Sequence, residues 1–456
     1  MEFPIKKIIK VDWDFPKSKT QFLTHKYHSY PARFIPQIPR TIYDICLESS
    51  GSRIFDPFVG CGTSLVEGVL SQNHAGGVDQ NPLAILMSRV KTQPLEVNSL
   101  INLWKNFQKF AQHFKNSNSQ VVTSPESLSN KDELYTPREF IFPNRNLSIR
   151  FTNDNIQAFS LILDYIEEEI TDIQFQDFFK VGLSSVITTL TESRSWRKVN
   201  IWSTFQTKIN SMIHIMDKFS HTVMGFTNDM QEDIKLADSR QISFISDETI
   251  DCLVTSPPYV NALDYNRIHQ YNMGILGYDY RAFAKAEIGA HGHHISNRWR
   301  LLAEYFADMA QSIVEMNRIT KQGSVICIVI GDSCLEYERI SSHSHFKELG
   351  ELLGFSHQLT LSRNIDSTSK STSKDIGNIF SEYLIFFTKD KEFEKVSDTL
   401  VHEYIESTML AYLDHVKTST GTCLRNKPEL SKERQELAIQ RVEEAISKIK
   451  KDCCSI

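Results

Sequence analysis

Two short stretches bring together residue types suited to a flat polar ring and to a nucleoside. The first, Thr-Ser-Pro-Pro-Tyr at 255–259, closes the apolar run IDCLVTSPPYVNALDY. Consecutive prolines cannot continue a central strand, because neither donates a ladder hydrogen bond and each fixes its own backbone angle. The strand must therefore stop at Thr255. Ser256, Pro257, Pro258 and Tyr259 then project as a rigid loop that presents a hydroxyl, two carbonyls whose directions the rings set, and one aromatic face. The second stretch, Asp-Pro-Phe-Val-Gly-Cys-Gly-Thr-Ser at 56–64, follows another apolar run. Gly60 and Gly62 let the backbone turn sharply and approach a ligand, and Asp79, ending the next apolar run, suits a ribose diol. The third glycine of a dinucleotide turn is missing, so the ligand reads as a nucleoside other than NAD. Standing alone, the glycine pair also fits a tight turn that caps a helix at Thr63 or Ser64.

The elements that must position these loops are legible as alternating strands and helices. SRIFDPF (52–58) predicts a strand and TSLVEGVLSQ the amphipathic helix after the glycine turn; AGGVD (75–79) predicts a second strand and NPLAILMSRV its helix. ETIDCLVTS and GSVICIVIGDS predict further buried strands separated by the helical stretch WRLLAEYFADMAQSIVEMNRI, and SHQLTLSR with EYLIFFTK a closing pair. Such alternation predicts an α/β protein with a mostly parallel, doubly wound sheet. Residues 95–232 interrupt it with helical spacing at Leu100, Leu103, Trp104, Phe107, Phe110 and Phe114, a polar linker, and further helices. The expected organisation is a first catalytic part over 1–94, a helical insert over 95–232, a second catalytic part over 233–392 and a helical tail over 393–456. The last tail segment places Leu430, Leu437, Val442, Ile446 and Ile449 on one face.

Composition sets outer limits. The 456 residues, 41% of them apolar, suffice for one large domain or two moderate ones. No segment has signal-peptide character and no run approaches a membrane span, so a cytoplasmic protein is expected. The eight cysteines show neither metal spacing nor a secreted framework and read as reduced. With a net charge of -6, any nucleic-acid surface must be local.

With both loops in this order, the chain resembles the S-adenosylmethionine-dependent DNA amino-methyltransferases, in the branch whose Ser-Pro-Pro-Tyr loop acts on cytosine N4. HKYHSYPARFIPQIPRTIYD (25–44) resembles the family segment that flanks the cofactor before the first strand, and LADSR (236–240) the acidic segment before the target loop. The resemblance covers roughly residues 25–95 and 234–390, leaving the insert and tail outside it. It implies a Rossmann-like methyltransferase sheet with one antiparallel closing strand. It further implies that Asp56, Phe58, Gly60, Gly62 and Thr63 surround the amino-acid end of S-adenosyl-L-methionine, that Asp79 holds the ribose, and that Asp238 accepts from the adenine amine, with Phe34 and Pro82 as ring neighbours. An Asp after a short strand also commonly caps a turn, which stays open for Asp238.

For the target, Ser256 and the carbonyl of Pro257 are expected to accept the amine N–H groups, Pro258 to hold the loop and Tyr259 to stack on a base flipped out of duplex DNA. No metal is required. Asp264 and Tyr265 either close over the base or start the next helix, with Asp264 as its N-cap. Candidate DNA contacts are Arg194, Arg197 and Lys198 around Trp196, the segment 291–300, and the Ser/Thr/Lys-rich segment 363–378. His291, His293 and His294 read as surface histidines. A cognate restriction endonuclease is the expected partner, while the oligomeric state is open. Two other readings stand beside this one: a methyltransferase of a different substrate, adenine N6 in DNA or an RNA or protein amide nitrogen, and a non-catalytic DNA-binding or cofactor-sensing subunit.

Overall fold

The structure is a computed structural model, and it describes residues 3–120, 138–140, 151–193, 199–261, 263–290, 292–365, 381–391, 397–419 and 431–453. Its strands are β1 (Arg53–Asp56), β2 (His74–Asp79), β3 (Ile234–Leu236), β4 (Ile250–Thr255), β5 (Thr320–Gly331), β6 (Ser333–Leu335), β7 (Glu338–Ile340), β8 (Ser356–Asn364) and β9 (Ser381–Thr388). Seven of them form one sheet in the order β3-β2-β1-β4-β5-β9-β8, and β6 pairs with β7 as a separate hairpin. The pairs from β3 through β5 are parallel, while β9 runs antiparallel to both β5 and β8. This is the Rossmann-like, mostly parallel sheet with one antiparallel closing strand that the sequence predicts.

Strands buried on both faces read as continuous apolar runs rather than alternating ones, which is why β4 and β5 are plain in the sequence. Their residues divide strictly by parity. Cys252, Val254, Cys327 and Val329 enter one core, while Leu253, Ile326, Ile328 and Ile330 enter the other. The first core holds the helices Gln37–Cys46, Thr63–Leu70 and Pro82–Thr92. It continues without a break into the helices Val97–Gln120, Asn153–Glu169, Ile173–Glu192 and Ile201–Thr222. Leu100, Trp104 and Phe107 are buried at the predicted spacing, and Trp104 stacks on Phe107 at 5.2 Å. The helices of the 95–232 region thus share their apolar core with the sheet.

On the other face the helix Arg298–Ile319 lies between the sheet and two tail helices, Asp398–Thr418 and Lys432–Cys453. The last helix packs through Ala438, Val442, Ala445 and Ile446, whereas Leu437 stays 43% exposed and Leu430 falls outside the described residues. The apolar stripe is displaced from the one expected because two small alanines, not the leucine, allow close approach to the underlying helix. Among the described residues no helix is long and apolar enough to cross a membrane.

Candidate active site

The strand order reverses between β1 and β4, so their carboxyl ends flank the crevice where doubly wound sheets take ligands. Asp56 ends one strand and Thr255 the other. The Thr255 hydroxyl donates to Asp56 Oδ1 at 2.5 Å, and the Ser64 hydroxyl donates to Oδ2. The Phe58 amide adds a third bond to Oδ1 at 3.0 Å. Asp56 is 1% exposed, and burial pushes its carboxyl up to about 6. Asp56 is not part of the cavity wall: its oxygens accept these bonds beneath the glycine loop, where it ties that loop to the target loop.

Above this joint opens a cavity whose empty space, open mouth included, is about 780 Å³. Phe58, Gly60, Thr63 and Asp79 line it, as do Phe34, Ser256 and Pro258. Gly60 has φ +49°, its amide donates to Asp79 Oδ2 at 2.9 Å, and an added Cβ would sit 3.4 Å from the Tyr30 ring. Asp79 Oδ1 accepts from the Asn81 amide at 2.8 Å, and burial raises the Asp79 carboxyl to about 6. Beside it the Gln80 side chain also lines the cavity, next to Asp238.

Gly62, Pro257, Tyr259 and Asp238 do not line the cavity, and the surrounding contacts account for this. At Gly62 (φ +80°) a Cβ would lie 3.0 Å from Ser88 Cα, so the glycine is needed for packing against the helix Pro82–Thr92. Pro82 opens that helix after the Asn81 cap and also stays outside the wall. The Tyr259 phenol donates to Glu382 Oε1 at 3.1 Å, and Pro258 offers its carbonyl to the Tyr305 hydroxyl at 2.8 Å. Asp238 is gripped by Arg240, with Nη2 at 2.6 Å from Oδ2 and Nε at 2.9 Å from Oδ1, while its neighbours Ala237 and Ser239 face the cavity. The Arg240 guanidinium thus takes up part of the acceptor capacity of Asp238.

Several wall residues were not singled out as site residues from the sequence. Tyr30 and Arg33 come from the segment 25–44, and Tyr30 stacks on Tyr265 with centroids 5.5 Å apart. Phe283, Glu287 and Ile288 close the opposite side. Glu287 is 7% exposed and accepts from the Tyr265 amide at 2.5 Å, from the Asn266 amide at 3.2 Å and from the Asn266 side chain at 2.6 Å. Burial pushes its carboxyl up to about 7. The short helix Tyr265–Ile268 is therefore capped by Glu287, while Asp264, at the N-cap position, accepts from the Gly292 amide at 2.6 Å. Nothing in the local sequence AKAEIGA marks Glu287, whereas the Tyr-Pro-Ala segment did mark the neighbourhood of Tyr30 and Arg33.

Of the surface candidates, His293 donates through Nε2 to the Ala284 carbonyl at 2.8 Å, and His294 meets Glu304 at 2.5 Å. His291, the cluster Arg194, Trp196, Arg197 and Lys198, and residues 366–380 lie outside the described residues.

Fold and site together define a doubly wound α/β protein with a cavity at its switch point, faced by a hydroxyl-bearing Pro-Pro loop. Comparison with known proteins narrows the class. The chain is 23% identical over 431 residues to Type II methyltransferase M.MvaI of Kocuria varians, covering 80% of this chain and 90% of that protein. It is 22% identical over 418 residues to Type II methyltransferase M.MjaII of Methanocaldococcus jannaschii, covering 74% and 78%. A solved structure from Thermus thermophilus, a "DNA Modification Methylase" complexed with S-adenosyl-L-methionine, aligns at 16% identity over 40% of this chain and 62% of that one. Its TM-score is 0.22, and nothing rests on so slight a superposition. No family model matches the chain.

Proposed function

We propose that the protein is a DNA methyltransferase of a restriction-modification system, transferring a methyl group from S-adenosyl-L-methionine to the exocyclic N4 amine of cytosine in a specific duplex sequence. The observation that carries this reading is the meeting of the glycine loop and the Ser256–Tyr259 loop on one cavity, joined beneath by Thr255 and Asp56. Similarity to Type II methyltransferases along most of the chain supports it.

The wall fits the cofactor on its own chemistry. Asp79, when ionised, accepts from a ribose diol, the Gln80 amide suits a nucleobase edge, and Arg33 suits a carboxylate. Gly60 brings bare backbone to the ligand, and Tyr30, Phe34, Phe58 and Tyr265 supply aromatic surface. The bound cofactor supplies an electrophilic methyl on a sulfonium. Ser256 acts on the target: an exocyclic amine has its lone pair delocalised into the ring, and accepting its N–H draws the nitrogen toward tetrahedral geometry and frees that pair. The base must leave the duplex to reach Ser256.

A neutral serine hydroxyl accepts more weakly than a carboxylate, charge-assisted bonds being roughly twice as strong, and this suits cytosine better than the less reactive adenine amine. Adenine N6 is the second reading, favoured by the Glu287 carboxyl in the same wall. Incubation of duplex DNA with the protein and labelled cofactor, followed by mass spectrometry of the nucleosides, tests both. N4-methylcytosine is the expected product; N6-methyladenine alone would move the assignment to the second reading, and no labelled nucleoside would favour a non-catalytic subunit.

A further inference from the structure

Two residues one turn apart on the helix Pro82–Thr92 hold the glycine loop from behind. The Ser88 hydroxyl donates to the Gly60 carbonyl at 2.9 Å, and Lys91 Nζ donates to the Cys61 carbonyl at 2.9 Å. Lys91 is 0% exposed, and among the described residues no carboxylate pairs with its ammonium. Glu67, the buried acid of the helix Thr63–Leu70, is already taken by His25 at 2.7 Å and Arg40 at 2.8 Å. One carbonyl leaves much of the desolvation of a buried ammonium uncompensated, so the charge calls for an anion nearby. The cavity is where an anion can enter. Cys61, whose carbonyl Lys91 holds, lines it together with Arg33 and Thr63, and the helix Thr63–Leu70 starts there with no side-chain cap on its amides. A guanidinium, the positive end of a helix and the ammonium behind Cys61 make this stretch of wall cationic.

We infer that Lys91 is a positioning residue for the carboxylate of the cofactor: from behind the glycine loop it supplies a fixed positive charge toward which the carboxylate of S-adenosyl-L-methionine is drawn, with Arg33 as the group on the cavity side. The inference rests on the reading of the cavity as the cofactor site. Because the charge is buried, water screens it little, and it acts through the thickness of one residue. The same charge opposes the ammonium and sulfonium of the cofactor. A ligand that keeps those two groups and lacks the carboxylate therefore gains nothing from Lys91.

Calorimetry with two probes, S-adenosyl-L-methionine and its decarboxylated analogue, tests this. The parent should bind the first about tenfold more tightly than the second. Lys91→Gln keeps a donor for the Cys61 carbonyl and removes the charge; it should weaken S-adenosyl-L-methionine about tenfold and leave the analogue unchanged or tighter. Lys91→Met replaces an uncompensated buried charge by an apolar chain of similar length, so it folds if the parent folds, and it should lose the preference for the carboxylate in the same way. Equal weakening of both probes in these variants would mean that Lys91 only props the loop, and overturns the inference while leaving the cofactor reading intact. Parental affinity for S-adenosyl-L-methionine in the variants, or a parent with no preference between the probes, overturns it likewise. A parent that binds neither probe overturns the cofactor reading and the inference with it.

Discussion

The hydroxyl of Thr255, the last residue of β4, donates to Oδ1 of Asp56, the last residue of β1, across 2.5 Å. Both side chains are buried. The bond joins the ends of the two strands that carry the glycine loop and the Ser-Pro-Pro-Tyr loop, so the distance between cofactor and target sites is fixed by the sheet rather than by the loops. A buried carboxylate needs its donors, since in their absence its desolvation goes uncompensated. Thr255→Val, which keeps the shape and removes the donor, is expected to cost about 1–3 kcal/mol in urea unfolding. Thr255→Ser should recover most of that loss. A valine variant as stable as the parent would mean that the bond does not brace the crevice.

Asp79 gives a pH signature. Burial holds its carboxyl at about 6, opposed by the amides of Asn81 and Gly60. A ribose diol donates to the ionised form, so affinity for S-adenosyl-L-methionine should be full above about pH 7 and fall toward tenfold per unit well below pH 6. Asp79→Asn should bind more weakly at neutral pH by about 1.5–3 kcal/mol, with a flat profile through that window. Asp238→Asn provides the contrast. It breaks a half-exposed pair with Arg240, worth less than about 1 kcal/mol, and should leave cofactor affinity nearly unchanged by calorimetry. Equal losses in the two variants would assign Asp238 the adenine-binding role that its position in LADSR suggested.

The sequence revealed the sheet through the burial of its strands on both faces. β1, β2, β4, β5 and the closing pair were all visible as apolar runs, whereas β3, only Ile234–Leu236, is too short to carry a pattern. Gly60 and Asp79 were legible because their demands are local: a left-handed turn, and an acid at a strand end. Gly62 looked like the same signal but answers to Ser88, a neighbour only through packing. Nothing in a linear motif tells which side of the loop the carboxylate of Asp56 faces. Its partner Thr255 is remote in sequence, and only strand order brings the two together. Glu287 was invisible for the same reason.

Glu287 carries the last prediction. Above its value of about 7 the carboxylate accepts from Tyr265 and Asn266 through both oxygens. Protonation turns one oxygen into a donor facing an N–H, which loosens the turn that holds Tyr265 against Tyr30. Methyl transfer should therefore rise with pH and level off above about pH 7. Stability should move the other way. The folded value is raised above the unfolded 4.5, so between the two the native state holds a proton that the unfolded chain has released. The contribution of this group is present in full below about pH 4.5 and is lost as pH rises through about 7. Glu287→Gln removes the titration, and the variant should show a low transfer rate that is flat between about pH 6.5 and 8, together with a smaller loss of thermal stability over the acid-to-neutral range. A variant that keeps the parental pH dependence of transfer would assign that dependence to another group and leave Glu287 a cap only.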